Sequence, residues 1–569
     1  MKKILFIALF GISLLQSYSQ TLEYSWARKA GGNYTDKGNA IATDVDGNVV
    51  VAGTFFSDSI KLGDITLKKS DSTSACMFVA KYNPAGNIIW AKRASTTSSY
   101  KTTYGYSVAT DKNGNIFVCG DLWGDSVSFD GNLTILPKET QNASFVVKYS
   151  SAGNYQWVKM AIGGRATSSI TIDGNEDLYM TGIFNNVVNF DGLEYTVGAG
   201  GHFIAKYNNS GGFIWANVTS VSVSSYGFNS EWDTKSVYTD SDHNVYLTGW
   251  SGTDTTFFNA SRTIYVTNNA SLRNVFLVKY NSNGVPLWAK GAQVTVTPGT
   301  STITANNIRV SDQSVYLTGW WTGDSLRFDN NQITSNSYQN MFIAKFDDSG
   351  NNIWVKSLGS QGNDYGNGLA FDSSGDLYLI GTTEGSDIHF NNILVGTTTG
   401  GNLATIFKID ADGNFLELKH PDNIPYYGAC FGNDIAIDHS DNIYITGGFS
   451  SGVAFGNDIL SGTNLWQDMF ISKLIKSIND GINTPATSQH NLRIYPNPSS
   501  DFIFIDLPGE NADEVTEICV YDITGKLLKN EKIKGYPVKV ELAGLVDGEY
   551  LITAITNNSI KRQKIIIQR

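Results

Sequence analysis

The sequence predicts an all-β fold, on three observations. A strand of the form Phe-aliphatic-small-Lys-aromatic recurs seven times, first as Phe78-Val79-Ala80-Lys81-Tyr82, then at 145–149, 203–207, 276–280, 342–346, a degraded 405–409 and 470–474. In six copies a Gly-centred turn and a second strand follow, five times with a Trp. Helix-favouring spacing is almost absent, while 57 Gly, 28 Tyr and 29 Phe suit short strands joined by tight turns.

The tag lysines stand 58 to 73 residues apart, a period typical of solenoids, propellers and arrays. Each copy reads as Trp-Ala-Lys, a Gly-rich loop, a strand ending in Asp, a turn, a strand ending in Gly, a long hairpin region, the Lys tag and Trp again. Four strands per copy are expected. Turns such as Asp44-Val45-Asp46-Gly47-Asn48 place Gly where positive φ is needed and Asp where its carboxylate accepts from the turn amides. Apolar runs at 49–52 and 443–446 suit strands buried on both faces, as in a propeller blade. The seventh copy lacks a Trp strand after Lys473, while Tyr24-Ser25-Trp26-Ala27-Arg28 stands without a copy of its own. The first strand is therefore expected to complete the last blade of a seven-bladed β-propeller over residues 20–476. An open stack of β repeats leaves the two half-repeats unexplained. The Asp-x-x-Gly-Asn turns, Val-Tyr-Leu-Thr-Gly strands and Phe-Val-Ala-Lys-Tyr tags resemble the bacterial β-propeller repeat called SBBP. Copy five departs by shortening its turn to Ser311-Asp312-Gln313-Ser314.

A chain of 569 residues accommodates such a domain and a smaller module. A net charge of −12 argues against nucleic acid, whose binding draws on Lys and Arg displacing counterions. Cys76, Cys119, Cys430 and Cys519 show neither zinc-ligand nor framework spacing. Residues 1–19 read as a secretory signal: Lys2 and Lys3, an apolar stretch over 4–15, and small residues Ser17 and Ser19 before the expected cleavage. No later segment offers the run of about 20 apolar residues that spans a bilayer.

The repeat stops after Leu474, and residues 477–490 have linker composition. Alternating strands from 491 to 569 suggest a small β-sandwich. Within them, Tyr495-Pro496-Asn497-Pro498, then Gly525-Lys526 after Tyr521-Asp522, then Gly548-Glu549-Tyr550, and a final strand with Lys561 and Lys564 occur in order. These blocks resemble the C-terminal sorting domain of type A cargo of the type IX secretion system. The resemblance implies recognition of residues 491–569 by that machinery, passage through the periplasm and outer membrane of a Bacteroidota bacterium, and release or surface attachment.

Two chemistries are candidates. Asp44, Asp46 and Asn48 form the fullest set of oxygen ligands for calcium, but no Glu stands at the twelfth position and turn chemistry alone accounts for them; no other cofactor is indicated. Aromatics follow the second strand's terminal Gly in six copies, and Trp123, Trp250, Trp320 and Trp321 are the candidates to ring one face and stack on a ligand. The alternative for any residue recurring in every blade is packing between blades. No nucleophile elbow, zinc helix or phosphate loop appears, and Glu231, Trp232, Asp233, His420 and Asp422 in the two longest insertions are thin enzyme candidates. The expected function is a secreted or surface-exposed propeller that binds a glycan or protein without catalysis. A glycan-active enzyme and a purely structural surface protein are its rivals.

Overall fold

The computed structural model describes residues 20–69, 74–96, 101–137, 142–198, 200–221, 232–252, 255–258, 262–267, 274–295, 302–335, 338–398, 400–462 and 466–478, and in the tail 493–495, 502–506, 515–522, 527–535, 538–555 and 560–568. The signal segment 1–19 and linker residues 479–490 lie outside them. All described elements are strands. Two units emerge, one over Thr21–Ser477 and one containing the tail from Ile478.

In the larger unit each copy builds an antiparallel sheet. Copy one pairs Asp36–Thr43 with Val49–Phe55, that strand with Cys76–Tyr82, and the Lys-tag strand with Ile88–Ser95. The second and third strands of this copy are buried at every position, the consequence of a sheet covered on both faces. The first, inner strands of the seven copies are Asp36–Thr43, Thr102–Thr110, the end of Tyr155–Ile172, Trp232–Thr239, Ile303–Ser311, Tyr365–Phe371 and the end of Asp422–Ile437. Each packs against the inner strand of the next copy, and the seventh packs against the first.

The N-terminal strand Gln20–Gly31 lies beside Asp468–Ile478 in the sheet of copy seven. Ser472 Oγ donates to the Trp26 carbonyl at 3.0 Å, and Trp26 is buried. The last strand of that sheet runs through Ser477 and Ile478, two residues into the segment expected to be linker.

Four strands per copy proves too few. The long region of each copy forms a hairpin, and in copies two, three and six it extends the preceding sheet: Ser126–Phe129 of copy two joins Ala94 and Ser95 of copy one, Phe190 of copy three pairs with Ala161, and Asp387–Phe390 of copy six joins Leu358 and Gly359 of copy five. In copies four and five it forms a separate three-stranded sheet, with Ser220–Val221 and with Gln293–Thr295. Ser59–Leu62 of copy one joins Ala30 and Gly31 of the N-terminal strand. Where a hairpin joins a sheet it covers part of an outer edge whose amides otherwise lack partners.

The repeat signature residues lie between sheets. Trp90 Nε1 donates to the Ser151 carbonyl in the next copy at 3.2 Å, and Trp26 donates to that of Pro84 at 3.1 Å. At Gly153, with φ of 82°, an added Cβ would come within 2.8 Å of the Trp90 ring. The post-tag glycine thus serves both the turn and the indole lying on it. The tag lysine reaches the turn aspartate: Lys81 Nζ is 2.8 Å from Asp44 Oδ2, with both side chains buried. Cys76, Cys119, Cys430 and Cys519 are buried and form no disulfide among the described residues.

In the tail, seven strands form a three-stranded sheet and a four-stranded sheet. Ile494, Ile503, Ile505 and Val540 from one sheet share a core with Ile518, Val520, Ile552, Ile565 and Ile567 from the other.

Candidate functional site

The inner strands surround a cavity of about 850 Å³ to which all seven copies contribute. Its shape follows from a repeated irregularity. In six copies the pairing of inner and second strands slips by one residue, at Asn39, Tyr106, Lys235, Asn306, Asn367 and Asn433; a longer slip in copy three includes Ser168. Such a bulge turns one extra side chain out of the ladder, and all seven line the cavity.

Where the bulge residue is Asn, it ties its copy to the next. Asn39 Nδ2 donates to the Gly105 carbonyl at 2.7 Å, Asn306 to Gly366 at 3.0 Å, Asn367 to Gly432 at 2.8 Å and Asn433 to Gly38 at 2.9 Å. A second tie runs one residue further on: Ser107, Ser169 and Ser236 Oγ accept from the Ile170, Val237 and Ile308 amides, and Asp434 Oδ2 accepts from that of Ile41 at 3.0 Å.

Copies two to four break the asparagine pattern with Tyr106, Ser168 and Lys235. Ser168 Oγ donates to Asp233 Oδ1 at 3.3 Å, and Lys235 Nζ lies 2.5 Å from Asp233 Oδ2. Tyr106 stacks on Tyr104, with centroids 5.9 Å apart and planes at 10°. Burial, then the Asp121 charge, push its phenol above the ordinary range. The remaining charged groups of the wall are Arg309 and Asp434. Burial pushes the Asp434 carboxyl up, and Arg309 pulls it back.

The four tryptophans singled out in the sequence do not form one set. Trp250 and Trp320 directly follow the glycines Gly249 and Gly319, Trp321 stands one residue further, and Trp123 three beyond Gly120. Because strand side chains alternate, Trp321 points opposite to Trp320. It is fully buried against Phe342, and Trp250 is 7 % exposed. Both are therefore withdrawn as stacking platforms, since packing of the surrounding side chains leaves neither ring a face to present to a ligand. Trp320 is half-buried against Tyr365 of the next copy. Trp123 is 42 % exposed, with the Arg165 guanidinium 5.7 Å from its ring.

At the calcium candidate, Asp44 Oδ1 accepts from the Asp46 and Asn48 amides, and Oδ2 from Asn48 Nδ2 and Lys81. Burial raises this carboxyl, but the Lys81 and Asn48 bonds outweigh it and hold it below the usual carboxylate range. A calcium ion there has to displace the Lys81 ammonium. Glu231 lies outside the described residues, and His420 Nδ1 is 2.9 Å from the Pro421 carbonyl oxygen. Sequence reasoning missed Tyr106, Lys235, Arg309 and Asp434. The signal was present in the Gly-Asn pairs at 38–39, 366–367 and 432–433, beside which Gly105-Tyr106 and Thr234-Lys235 stand out.

Comparison with protein families matches residues 493–568 to the secretion system C-terminal sorting domain, and residues 89–125 and 353–389 to the SBBP beta-propeller repeat. The chain carries both modules. Each SBBP match opens one residue before an outer-strand Trp, Trp90 or Trp354, and continues into the following copy, so the family's repeat is offset from the sheet. The sorting domain spans all seven tail strands. Tyr495 stands in its first strand, and Tyr550 is buried with its hydroxyl donating to the Val546 carbonyl at 2.7 Å. Lys561 and Lys564 pair with Ala554 and Leu551 through the backbone, and Gly548 opens the strand that they face. Pro496, Asn497, Pro498, Gly525 and Lys526 lie outside the described residues.

The chain is similar, at 25% identity over 510 residues, to an uncharacterized WD repeat-containing protein of Acanthamoeba polyphaga mimivirus, with 75% of this chain covered and 36% of that protein's length. Among solved structures, a protein of unknown function from Dyadobacter fermentans matches with a TM-score of 0.35 and 10% identity, covering 80% of this chain and 99% of its own. The intramolecular trans-sialidase from Ruminococcus gnavus matches with a TM-score of 0.31 and 10% identity, covering 82% and 96%. Among the described residues, no helix is long and apolar enough to cross a membrane.

Proposed function

We propose that residues 20–476 close into a seven-bladed propeller, exported through the type IX system by the sorting domain, that binds a glycan or protein at its central cavity without catalysis. Residues 1–19 serve as the signal for passage into the periplasm of a Bacteroidota cell, 479–490, beyond the last repeat strand, as linker, and 491–569 as the removable export address. Closure is supported by the cyclic packing of inner strands, the Asn433–Gly38 bond and the N-terminal strand in the seventh sheet.

The observation that carries binding is the broken repetition at the bulge. Packing between equivalent copies calls for the same residue in each, and the Asn tie supplies it. Tyr106, Ser168 and Lys235 give up that tie on three consecutive copies and place an aromatic ring, a hydroxyl and an ammonium on one side of a polar cavity. Convergent, unrepeated polar groups are what ligand contact requires. The test is a screen of the purified chain against polysaccharides and surface proteins, with and without calcium, repeated on the binder found with Tyr106→Ala and Lys235→Ala. Saturable binding without turnover, weakened about tenfold or more by either substitution, is expected. Affinity unchanged in both variants removes the site, and turnover replaces the reading with the enzyme.

A further inference from the structure

The residue before the first position of each Lys tag fills the gap to the next copy. It is Met77, Met341 and Met469 in copies one, five and seven, and Ser144, Val275 and Ala404 in copies two, four and six. An added Cβ on Gly105 would come within 2.9 Å of Met77, and one on Gly381 within 3.1 Å of Met341, so these side chains reach across the seam to the following copy. Copy three places His202 in this slot. Its ring lies edge-on to Phe276 of copy four, with centroids 4.8 Å apart and planes at 61°. His202 is fully buried, and among the described residues neither Nδ1 nor Nε2 has a hydrogen-bond partner. Thr234 of copy four, at the position of Gly105 in copy two, also buries its Oγ1 without a partner.

A neutral imidazole brings one N–H and one acceptor, and leaving both unmade costs free energy that a methionine in the same slot avoids. Charging the ring there costs more. The charged side chains on the strands packed around it are Lys206 in copy three and Asp233, Lys235 and Lys279 in copy four. All are engaged elsewhere: Lys206 with Asp177 at 2.9 Å, Lys279 with Asp348, and Lys235 with Asp233. The other titratable groups of those strands, Tyr179, Tyr207, Tyr238, Tyr246 and Tyr280, carry no charge at acid pH. Burial alone pushes the imidazole down to about 3.

We infer that the seam between copies three and four is acid-sensitive: protonation of His202 traps these copies apart and disassembles the cavity wall at Ser168 and Lys235. The closed seam excludes the proton, so the parted form takes it up first. Stability that the seam holds above about pH 6.5, the ordinary histidine value, is lost as the pH falls below it. The Ser168–Asp233 and Ser169–Val237 bonds cross the same seam and part with it. This holds whatever the cavity binds. Asp36 and Asp364 lie at other seams and act in the opposite sense, which calls for a comparison of seams within one chain.

The experiment is amide hydrogen exchange, read by mass spectrometry on the full chain at pH 6.5 and pH 4.5 and corrected for the intrinsic pH dependence, with wild type and His202→Met. In wild type, exchange at Asn274–Tyr280 should rise between the two pH values at least about tenfold more than at Asn340–Phe346 of copy five. In His202→Met the two strands should change alike. Should that variant fail to fold, nitrogen NMR of wild type with labelled histidine decides, since the His202 ring of the folded chain should still be neutral at pH 5. Equal changes at the two strands in wild type, the same excess in His202→Met, or a protonated His202 ring in the folded chain at pH 5 overturns the inference.

Discussion

Asn433 in the seventh copy donates its side-chain amide to the Gly38 carbonyl of the first at 2.9 Å, across 395 positions of sequence. It repeats the bond that Asn39, Asn306 and Asn367 make to their successors, so the two ends of the repeat meet through the same contact as adjacent copies.

Removing that contact tests whether it contributes at the junction. Asn433→Ala should lower stability by about 1 kcal/mol, the ordinary net worth of a hydrogen bond with some penalty for the carbonyl left behind. Urea denaturation of the variant beside Asn367→Ala should give similar losses. A neutral Asn433→Ala with a costly Asn367→Ala would show that the junction bond contributes nothing.

Trp26 and Trp123 make a contrasting pair. Trp26 is buried in the seventh sheet and bonded to Pro84, so Trp26→Ala should cost about 3 kcal/mol or more. Trp123 is 42 % exposed, and Trp123→Ala should stay within about 0.5 kcal/mol. Equal losses would contradict the placement of the first strand.

Lys81→Met leaves Asp44 buried without its cation, and should destabilise by about 3 kcal/mol or more. Millimolar calcium should not move the wild-type melt, because the ammonium already occupies the carboxylate. A calcium-dependent rise in wild type would return these turns to the list of metal sites.

Burial pushes Asp364 up to about 7 and Asp36 up to about 6, against the bonds from Ser360 and Ser57 that pull them down. Folded chains therefore hold these protons at pH values where the unfolded chain has released them. The associated stability is fully present below about pH 4, where unfolded Asp titrates, and is lost as the pH rises through about 6 to 7. Melting temperatures should fall from pH 5 to pH 8, and Asp364→Asn should fall less. An equal drop in the variant would show that Asp364 is not the group responsible.

A chain ending before Lys561 loses the strand that pairs with Gly548–Ile555. It should fold its repeats yet accumulate in the periplasm. Surface delivery at the normal level would remove the last strand from the export address.

Much of this was legible because it repeats. The Lys tag, the Asp turn and the Trp strand recur at a fixed spacing, and each proved to be one half of a contact between neighbouring elements: Lys81 with Asp44, Trp90 with the turn at Gly153. The hairpin extensions were not legible, since which outer edge a hairpin covers depends on the preceding copy, not on its own residues. Trp321 misled for a related reason. Composition marks an indole as amphipathic, but its side of the strand is set by register, and one residue's shift from Trp320 buries it completely.

The sequence by itself determined the all-β class, the seven copies and the two modules, because strand period, turn chemistry and family blocks are local and recur. Only the tertiary structure decided the cavity. Arg309 and Asp434 are 125 positions apart, each an ordinary wall residue in its own copy. Nothing local marks them as a pair. They line one cavity because the inner strands of copies five and seven both border it, with the inner strand of copy six between them. That arrangement is a property of the assembled strands.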